Sequence, residues 1–455
     1  MKYDVVIVGG GPAGVITALT AKNVYPKKSV CLIKEIGDSV IPCAIPYMMH
    51  TMPDPRQNVM SDQPLENAAI EVIVAKVVSL DPENHTITLE SGETVLFERL
   101  VLATGTVSVK PPVEGIDKEG VFTIQKSLSA MVNLKNRIQE AQKIVIIGGG
   151  FIGAEFADEL IKMGDKEVHI IEIMPKLLFN AFDDEFCDKI REILIQQGVN
   201  VHTGCRVASI NGNGRVKSVT IEGGGTIDAD IVILGAGAKP SVDLAREAGL
   251  LITDKGSIWV DDYMQTNIEG IFAVGDCALK RDYFTRREVP VWLASTATSE
   301  ARNAGVNLYG VRVLNQMPGT IAAFSTRFGD VSFASAGMNS RTGERENFRS
   351  ISSTAVAYDR HPVTMPNACE CKVKLCFSPR SGIILGGQIY GCAAVGELIN
   401  VIALAIQKEV SIREVDMMQI ATHPLLTAAP TVHPFINAAH QALAQMRAMV
   451  KEDYY

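Results

Sequence analysis

One pattern occurs twice in the chain and constrains its fold more than any other. Residues Val5–Val15 read VVIVGGGPAGV, and residues Ile144–Ala154 read IVIIGGGFIGA. Each is an apolar, β-branched run that stops at a glycine cluster and continues as a helical pattern. Strand, tight turn and helix in that order open a βαβ unit. Two such openings predict two nucleotide-binding domains of α/β type in one chain.

The spacing inside each turn has a physical cause. Gly9, Gly11 and Gly14 fit G-x-G-x-x-G, and Gly148, Gly150 and Gly153 repeat it. The first glycine makes the turn, the second lets backbone approach a pyrophosphate, and the third lets the helix pack on the strand. The helix N-terminus then holds phosphate through N–H groups and dipole. Pro12 and Ala13 complete the first loop, and Phe151 and Ile152 the second. One such loop is a weak signal; two, each framed by a strand and a helix, predict two Rossmann-like domains. The strand after the second loop, Val168–Ile171, ends at Glu172. An acid there accepts hydrogen bonds from an adenosine ribose and repels a 2′-phosphate, which favours NADH over NADPH. After the first loop the strand Val30–Ile33 ends in Lys34 and Glu35, so the acid is displaced by one residue. Either Glu35 reaches the ribose or Lys34 replaces that contact.

The chain has 455 residues, enough for about three domains. Strands are expected at Ala69–Val77, Thr86–Leu89, Leu100–Thr104 and Ile231–Gly235, and helices at Leu128–Ala141 and Asp183–Gln197, with Pro111-Pro112 as a linker. Past about residue 325 the pattern changes. Lys372–Phe377 and Gly382–Gln388 read as antiparallel strands, and Val395–Gln407 and Pro434–Lys451 as helices, giving an α+β third domain. A net charge of −8 without a Lys/Arg block argues against nucleic acid or anionic membrane as partners. No apolar run approaches the roughly 18 residues that span a bilayer, and Lys2–Val8 is too short for a signal peptide, so a reducing, cytoplasmic location is expected. Nine cysteines without a CxxC pair predict neither a disulfide framework nor a metal site.

Three further motifs, with the two loops, resemble the pyridine nucleotide–disulfide oxidoreductases. Thr266–Asp276 reads TNIEGIFAVGD; in that family the aspartate binds the ribityl chain of FAD, a role the resemblance gives to Asp276 with Gly275 before it. Ala103-Thr104-Gly105 resembles the end of an FAD-domain strand, and Leu234–Gly237 with Pro240 resembles the matching end of the NAD domain, bringing in Gly237. The resemblance implies an FAD domain, 1–112 and 249–322, split around an NAD domain, 113–248, and followed by a dimerisation domain, 323–455. The first loop would hold FAD and the second NADH. A homodimer is implied, in which the C-terminal domain completes the partner's active site.

Ser39–Tyr47, SVIPCAIPY, resembles the family's S-x-x-x-C-G-x-P-Y, with Ala44 in place of glycine. It makes Cys43 the candidate redox cysteine, its thiolate favoured by a helix N-terminus. Dithiol members carry a second cysteine five residues on; here that residue is Met48. Cys43 must then react with an external sulfur or with oxygen species. The closest branch is the single-cysteine group of coenzyme A-disulfide reductases, NADH oxidases and sulfur or polysulfide reductases. Peroxidase and oxidase members carry a histidine at the position of Pro12, which counts against dedicated oxygen chemistry. The tyrosines expected of coenzyme A-disulfide reductases are absent from Asp359–Ala368 and Thr422–His433. A polysulfide, persulfide or small disulfide is thus at least as good a substrate as coenzyme A disulfide. His423, followed by Pro424, is the candidate acid/base, with His433 second. Phe151 resembles an aromatic that covers the flavin, and Glu155 a residue near the nicotinamide. Cys369, Cys371 and Cys376 read as packing residues. The alternatives are an NADH oxidase and a flavin electron-transfer partner of a redox protein.

Overall fold

Consecutive β-branched residues suit a strand covered on both faces, and Val5, Val6 and Ile7 are fully buried. In the computed structural model, which describes residues 1–314 and 317–452, Lys2–Val8 lies between Val30–Lys34 and Thr94–Leu102 and runs parallel to both. Glu71–Val74 extends the sheet on one side, and Thr86–Leu89 and Val77–Asp81 extend it antiparallel on the other. Ile271–Ala273 joins in parallel beside Leu100–Leu102. A segment far along the chain therefore belongs to the first sheet.

The chain divides into two compact units. The first comprises Met1–Gly148, Lys162–Lys166 and Val207–Thr320; the second comprises Gly149–Ile161, Glu167–Arg206 and the chain from Ile321. Besides the large sheet, the first unit holds a parallel trio: Val121–Thr123, Ile231–Leu234 and Lys143–Ile147. It also holds an antiparallel meander of Val207–Asn211, Ser218–Ile221 and Thr226–Asp228. Thr106–Ser108 pairs antiparallel with Ala238–Pro240 in a short two-stranded ribbon. In the second unit, helix Phe151–Ile161 leads to Glu167–Glu172, which pairs in parallel with Asn200–Thr203. A five-stranded antiparallel sheet follows, ordered Phe324–Phe328, Val331–Gly337, Ile384–Gly391, Glu370–Phe377, Ile351–Tyr358. Helices Val395–Gln407 and Pro434–Glu452 pack on it. The fold class is the expected one: α/β with two Rossmann-like strand–turn–helix openings, then an α+β region.

Local differences have local causes. The strand expected at Ala69–Val77 is confined to Glu71–Val74, because Ala69 takes φ +53° in the turn that ends the preceding helix. Val77–Asp81 is instead a separate strand, turned back by Asp81, whose carboxylate accepts from Asn84 N–H at 3.0 Å. The strand expected at Leu100–Thr104 begins at Thr94, where exposed and buried residues alternate as a one-sided strand requires.

A Cβ on Gly14 would lie 1.9 Å from the carbonyl oxygen of Gly9. Gly14→Ala must therefore push helix Pro12–Val24 off its strand. Denaturant unfolding should show a loss of at least about 1–3 kcal/mol; an unchanged midpoint would refute the packing account.

Candidate active site

The first glycine loop is shaped by backbone meeting backbone. Gly9 has φ +122°, and a Cβ there would stand 2.1 Å from the carbonyl oxygen of Ala103. Gly11 faces open space: nothing lies within 4 Å of its absent Cβ. Pro12 opens the helix Pro12–Val24, and no side chain caps that end. Its first N–H groups are left for a ligand, as an anion site needs. Gly275, at φ +74°, brings its turn against the loop, its absent Cβ 2.8 Å from Ala13 Cβ. Asp276 follows directly. Ala103 N–H donates to Val8 at 2.8 Å, Thr104 Oγ1 donates to Ser241 O at 2.6 Å, and Gly105, at φ +68°, accepts from Ser241 N–H at 2.9 Å. An open cradle at a helix N-terminus, with a carboxylate beside it, fits a dinucleotide diphosphate and a polyol chain.

Two buried charges fix the Asp276 turn, and no sequence motif announces them. Glu300 accepts from Gly275 N–H at 2.9 Å and pairs with the Lys280 ammonium at 2.9 Å. Lys280 in turn donates to Gly275 O, and to Ala278 O at 3.0 Å. Both side chains are almost fully buried. Burial raises the Glu300 carboxyl above the ordinary range, while Lys280 and Gly275 N–H pull it back.

The second loop repeats the first. Gly148 has φ +111°, with an absent Cβ 2.5 Å from Gly235 O, and Gly150 again faces open space. Gly153 is buried in the helix that follows, and Ile152 is half-buried. Glu172 is held to the loop itself: one carboxylate oxygen accepts from Gly149 N–H, the other from Met174 N–H at 2.7 Å. Lys34 has the corresponding place behind the first loop, its Cβ 2.7 Å from where a Gly10 Cβ would stand. Its ammonium is engaged by Asp62 at 2.6 Å and Gly37 O at 3.2 Å. Glu35 is exposed and lies 3.8 Å from Lys76. Gly237, at φ +104°, accepts from Val109 N–H at 3.1 Å beside the two-stranded ribbon.

On the helix after the second loop, Phe151 packs edge-on against Phe324 at 4.7 Å and Phe182 at 6.5 Å. Glu155 accepts from Thr326 Oγ1 at 2.7 Å. Burial pushes its carboxyl up to about 7; Thr326 opposes this, and Asp158 and Glu159 add to it.

Cys43 is exposed, and all nine cysteines are thiols. The expected helix after it is only two successive single 3₁₀ turns, Pro42–Ala44 and Pro46–Met48. Such short turns carry little of a full helix dipole. The turn is fixed by its flanks: Ile41 N–H donates to Asn58 O at 2.9 Å, Val40 N–H to Lys126 O at 3.1 Å, and Leu128 N–H to Asp38 O at 3.0 Å. Met48 is fully buried.

His423 is exposed, and its Nδ1 accepts from Leu425 N–H at 3.2 Å, which leaves the neutral ring's proton on Nε2. His433 is half-buried against Phe435, its Nδ1 has no hydrogen-bond partner among the described residues, and burial lowers its pKa. Burial pushes the Cys369 thiol up to about 11 and the Cys371 thiol up to about 12, and raises Cys376 too. Burial thus disfavours the thiolate at all three. No group of three His, Cys, Asp or Glu suited to a metal occurs among the described residues, and no helix among them is long and apolar enough to cross a membrane.

Residues 3–302 match the profile of the pyridine nucleotide-disulphide oxidoreductases, and residues 323–433 that of their dimerisation domain. The NAD(P)H sulfur oxidoreductase (CoA-dependent) of Pyrococcus abyssi is 31% identical over 401 residues, 86% of this chain and 88% of that protein. The NADH oxidase of Methanocaldococcus jannaschii is 29% identical over 455 residues, 97% of this chain and 99% of the relative. The solved structure of a NAD-dependent persulfide reductase from A. fulgidus superposes with a TM-score of 0.89 at 29% identity, covering 98% of this chain and 84% of that one.

Two outcomes follow from the buried charges. The folded Glu155 carboxyl, near 7, lies above its ordinary 4.5, so the folded state holds this proton more tightly and stability falls as pH rises between those values. Glu155→Gln should remove that slope: its stability relative to the native chain should rise by up to about 3 kcal/mol between pH 4.5 and 8. A pH-independent difference would contradict the assignment. Lys280→Met should cost about 3–5 kcal/mol, because it strands the buried Glu300 carboxylate, and should weaken FAD retention measured by flavin fluorescence.

Proposed function

The chain belongs to the pyridine nucleotide-disulphide oxidoreductase family, and on that footing we propose that it reduces a small disulfide, polysulfide or persulfide with NADH, through FAD and Cys43. One observation carries the reading. An exposed thiol stands on a turn anchored in the same unit as the first dinucleotide loop, and a buried methionine occupies the place of a second cysteine.

FAD would be held by Gly9, Gly11, Pro12, Ala13 and Gly14 at its diphosphate, with Asp276 at the ribityl chain and Ala103–Gly105 closing the loop from behind. Bound there, it would supply two-electron transfer between a nicotinamide and sulfur. Gly148, Gly150 and Gly153 would receive NADH, with Glu172 selecting against a 2′-phosphate. The domain limits given by the motifs, 1–112 with 249–322, 113–248 and 323–455, assign each nucleotide its own domain.

The chain's own chemistry is thiol exchange. The Cys43 thiolate attacks one sulfur of R–S–S–R′; the S–S bond breaks, R′S⁻ leaves, and a Cys43–S–S–R mixed disulfide forms. Two electrons from NADH then break that bond, restoring the Cys43 thiolate and releasing RS⁻. Met48 cannot intercept the mixed disulfide, so Cys43 alone carries the sulfur. His423 of a second copy is the acid that protonates the departing thiolate through Nε2, with His433 the second candidate. The match to a dimerisation domain supports a homodimer, and in this reading the second copy completes the site. The reading includes a cytoplasmic location and admits coenzyme A, as its disulfide or as the mixed-disulfide group on Cys43. The relationship to sulfur and persulfide reductases supports the substrate class.

Anaerobic NADH oxidation against coenzyme A disulfide, polysulfide, glutathione persulfide and cystine tests the proposal. At least one should turn over, with a long-wavelength absorption band from thiolate beside flavin, and Cys43→Ser should lose both while retaining FAD. Full turnover by that variant would refute the scheme. NADH consumption matched by oxygen uptake, with no sulfur acceptor present, would support an NADH oxidase instead, the activity named for the Methanocaldococcus jannaschii relative.

A further inference from the structure

A thiolate at Cys43 needs a source of positive potential, and two single 3₁₀ turns supply little. Asp38, on the same loop, is bound by Ser129 N–H at 3.1 Å. Lys135 turns its ammonium to Met52 O at 3.0 Å and Pro53 O at 3.4 Å, on the side of Asp54. The Lys126 ammonium lies within electrostatic range of Cys43 and of the Asp276 carboxylate.

Lys126 is half-buried, and its two hydrogen bonds go to uncharged oxygens: Thr106 O at 3.2 Å and Thr106 Oγ1 at 3.1 Å. Among the described residues it has no carboxylate within ion-pair distance. An ammonium taken from water without a counter-charge is costly; burial lowers its pKa, and the negative charges of Asp276 and Cys43 act the other way. Its place is fixed from both ends. The backbone oxygen of Lys126 receives Val40 N–H from the Cys43 loop. Its Nζ lies over Gly105, 3.8 Å from where a Cβ would stand, next to the first dinucleotide loop.

We propose that Lys126 is the positioning residue that keeps Cys43 ionised. The inference rests on the reading of Cys43 as the reacting sulfur. Without Lys126 that positive potential is lost, and Cys43 holds its proton to higher pH.

The test uses the FAD-loaded, dithiothreitol-reduced and desalted enzyme without NADH. The rate of iodoacetamide alkylation of Cys43 is followed by peptide mass spectrometry from pH 4.5 to 9.5. In Lys126→Met the midpoint should move up by about one pH unit, with the rate at pH 7 falling up to about tenfold. Lys126→Arg should restore the native midpoint. Lys126→Gln, which keeps a donor for Thr106, should behave as the Met variant and replaces it if that chain fails to fold. A midpoint unchanged in both neutral variants overturns the proposal, as does an arginine variant that behaves like them. If alkylating Cys43 in the native enzyme leaves disulfide reductase turnover intact, the Cys43 reading fails instead, whatever Lys126 does.

Discussion

Two carbonyl groups set the terms for the glycine loops. The carbonyls of Ala103 and Gly235 stand where side chains at Gly9 and Gly148 would be, at 2.1 and 2.5 Å from an added Cβ. Each therefore requires a glycine at positive φ in the turn that meets it. With the turn closed that tightly, the following helix begins within a few residues, at Pro12 and at Phe151. The open space at Gly11 and Gly150 is the complement of the crowding at Gly9 and Gly148. One backbone contact thus produces both the tight turn and the anion cradle, and the chain uses it twice.

Around the first cradle the fold invests in buried charge. Lys280 and Glu300 hold the peptide of Gly275 by its oxygen and its nitrogen, and so orient the residue after it. Such a pair contributes little net stability but is costly to break, which suits a turn that must present one carboxylate in one place. Lys126 is a different case, a half-buried ammonium on neutral oxygens at the edge of the Cys43 loop. In the second unit Glu155 is a carboxyl held near neutrality by burial, with Thr326 as its donor. The three environments differ in what compensates the charge.

Much of this was legible in the chain. Both glycine turns, the strands before them and the helices after them stand where the repeated pattern places them, because a period-3.6 run after a glycine cluster has few other solutions. Glu172 closes its strand and accepts from Gly149 N–H of the loop. Lys34 shows the limit of reading by analogy: it has the same place behind its own loop, but Asp62, 28 residues away in sequence, engages its ammonium. The helix expected after Cys43 is shorter than the two prolines suggest, since propensity does not set length where flanking hydrogen bonds to Asn58 and Lys126 do.

The sequence by itself determined the α/β class, the two glycine loops, the missing second cysteine and the change of architecture past about residue 325, since each is written in local spacing or in the identity of one residue. Only the tertiary structure decided which charges meet. Lys280 with Glu300, Lys126 beside the Cys43 loop and Glu155 under Thr326 are contacts between segments from 20 to 171 residues apart. Electrostatic energy depends on distance and burial, and neither is encoded by any short stretch of chain.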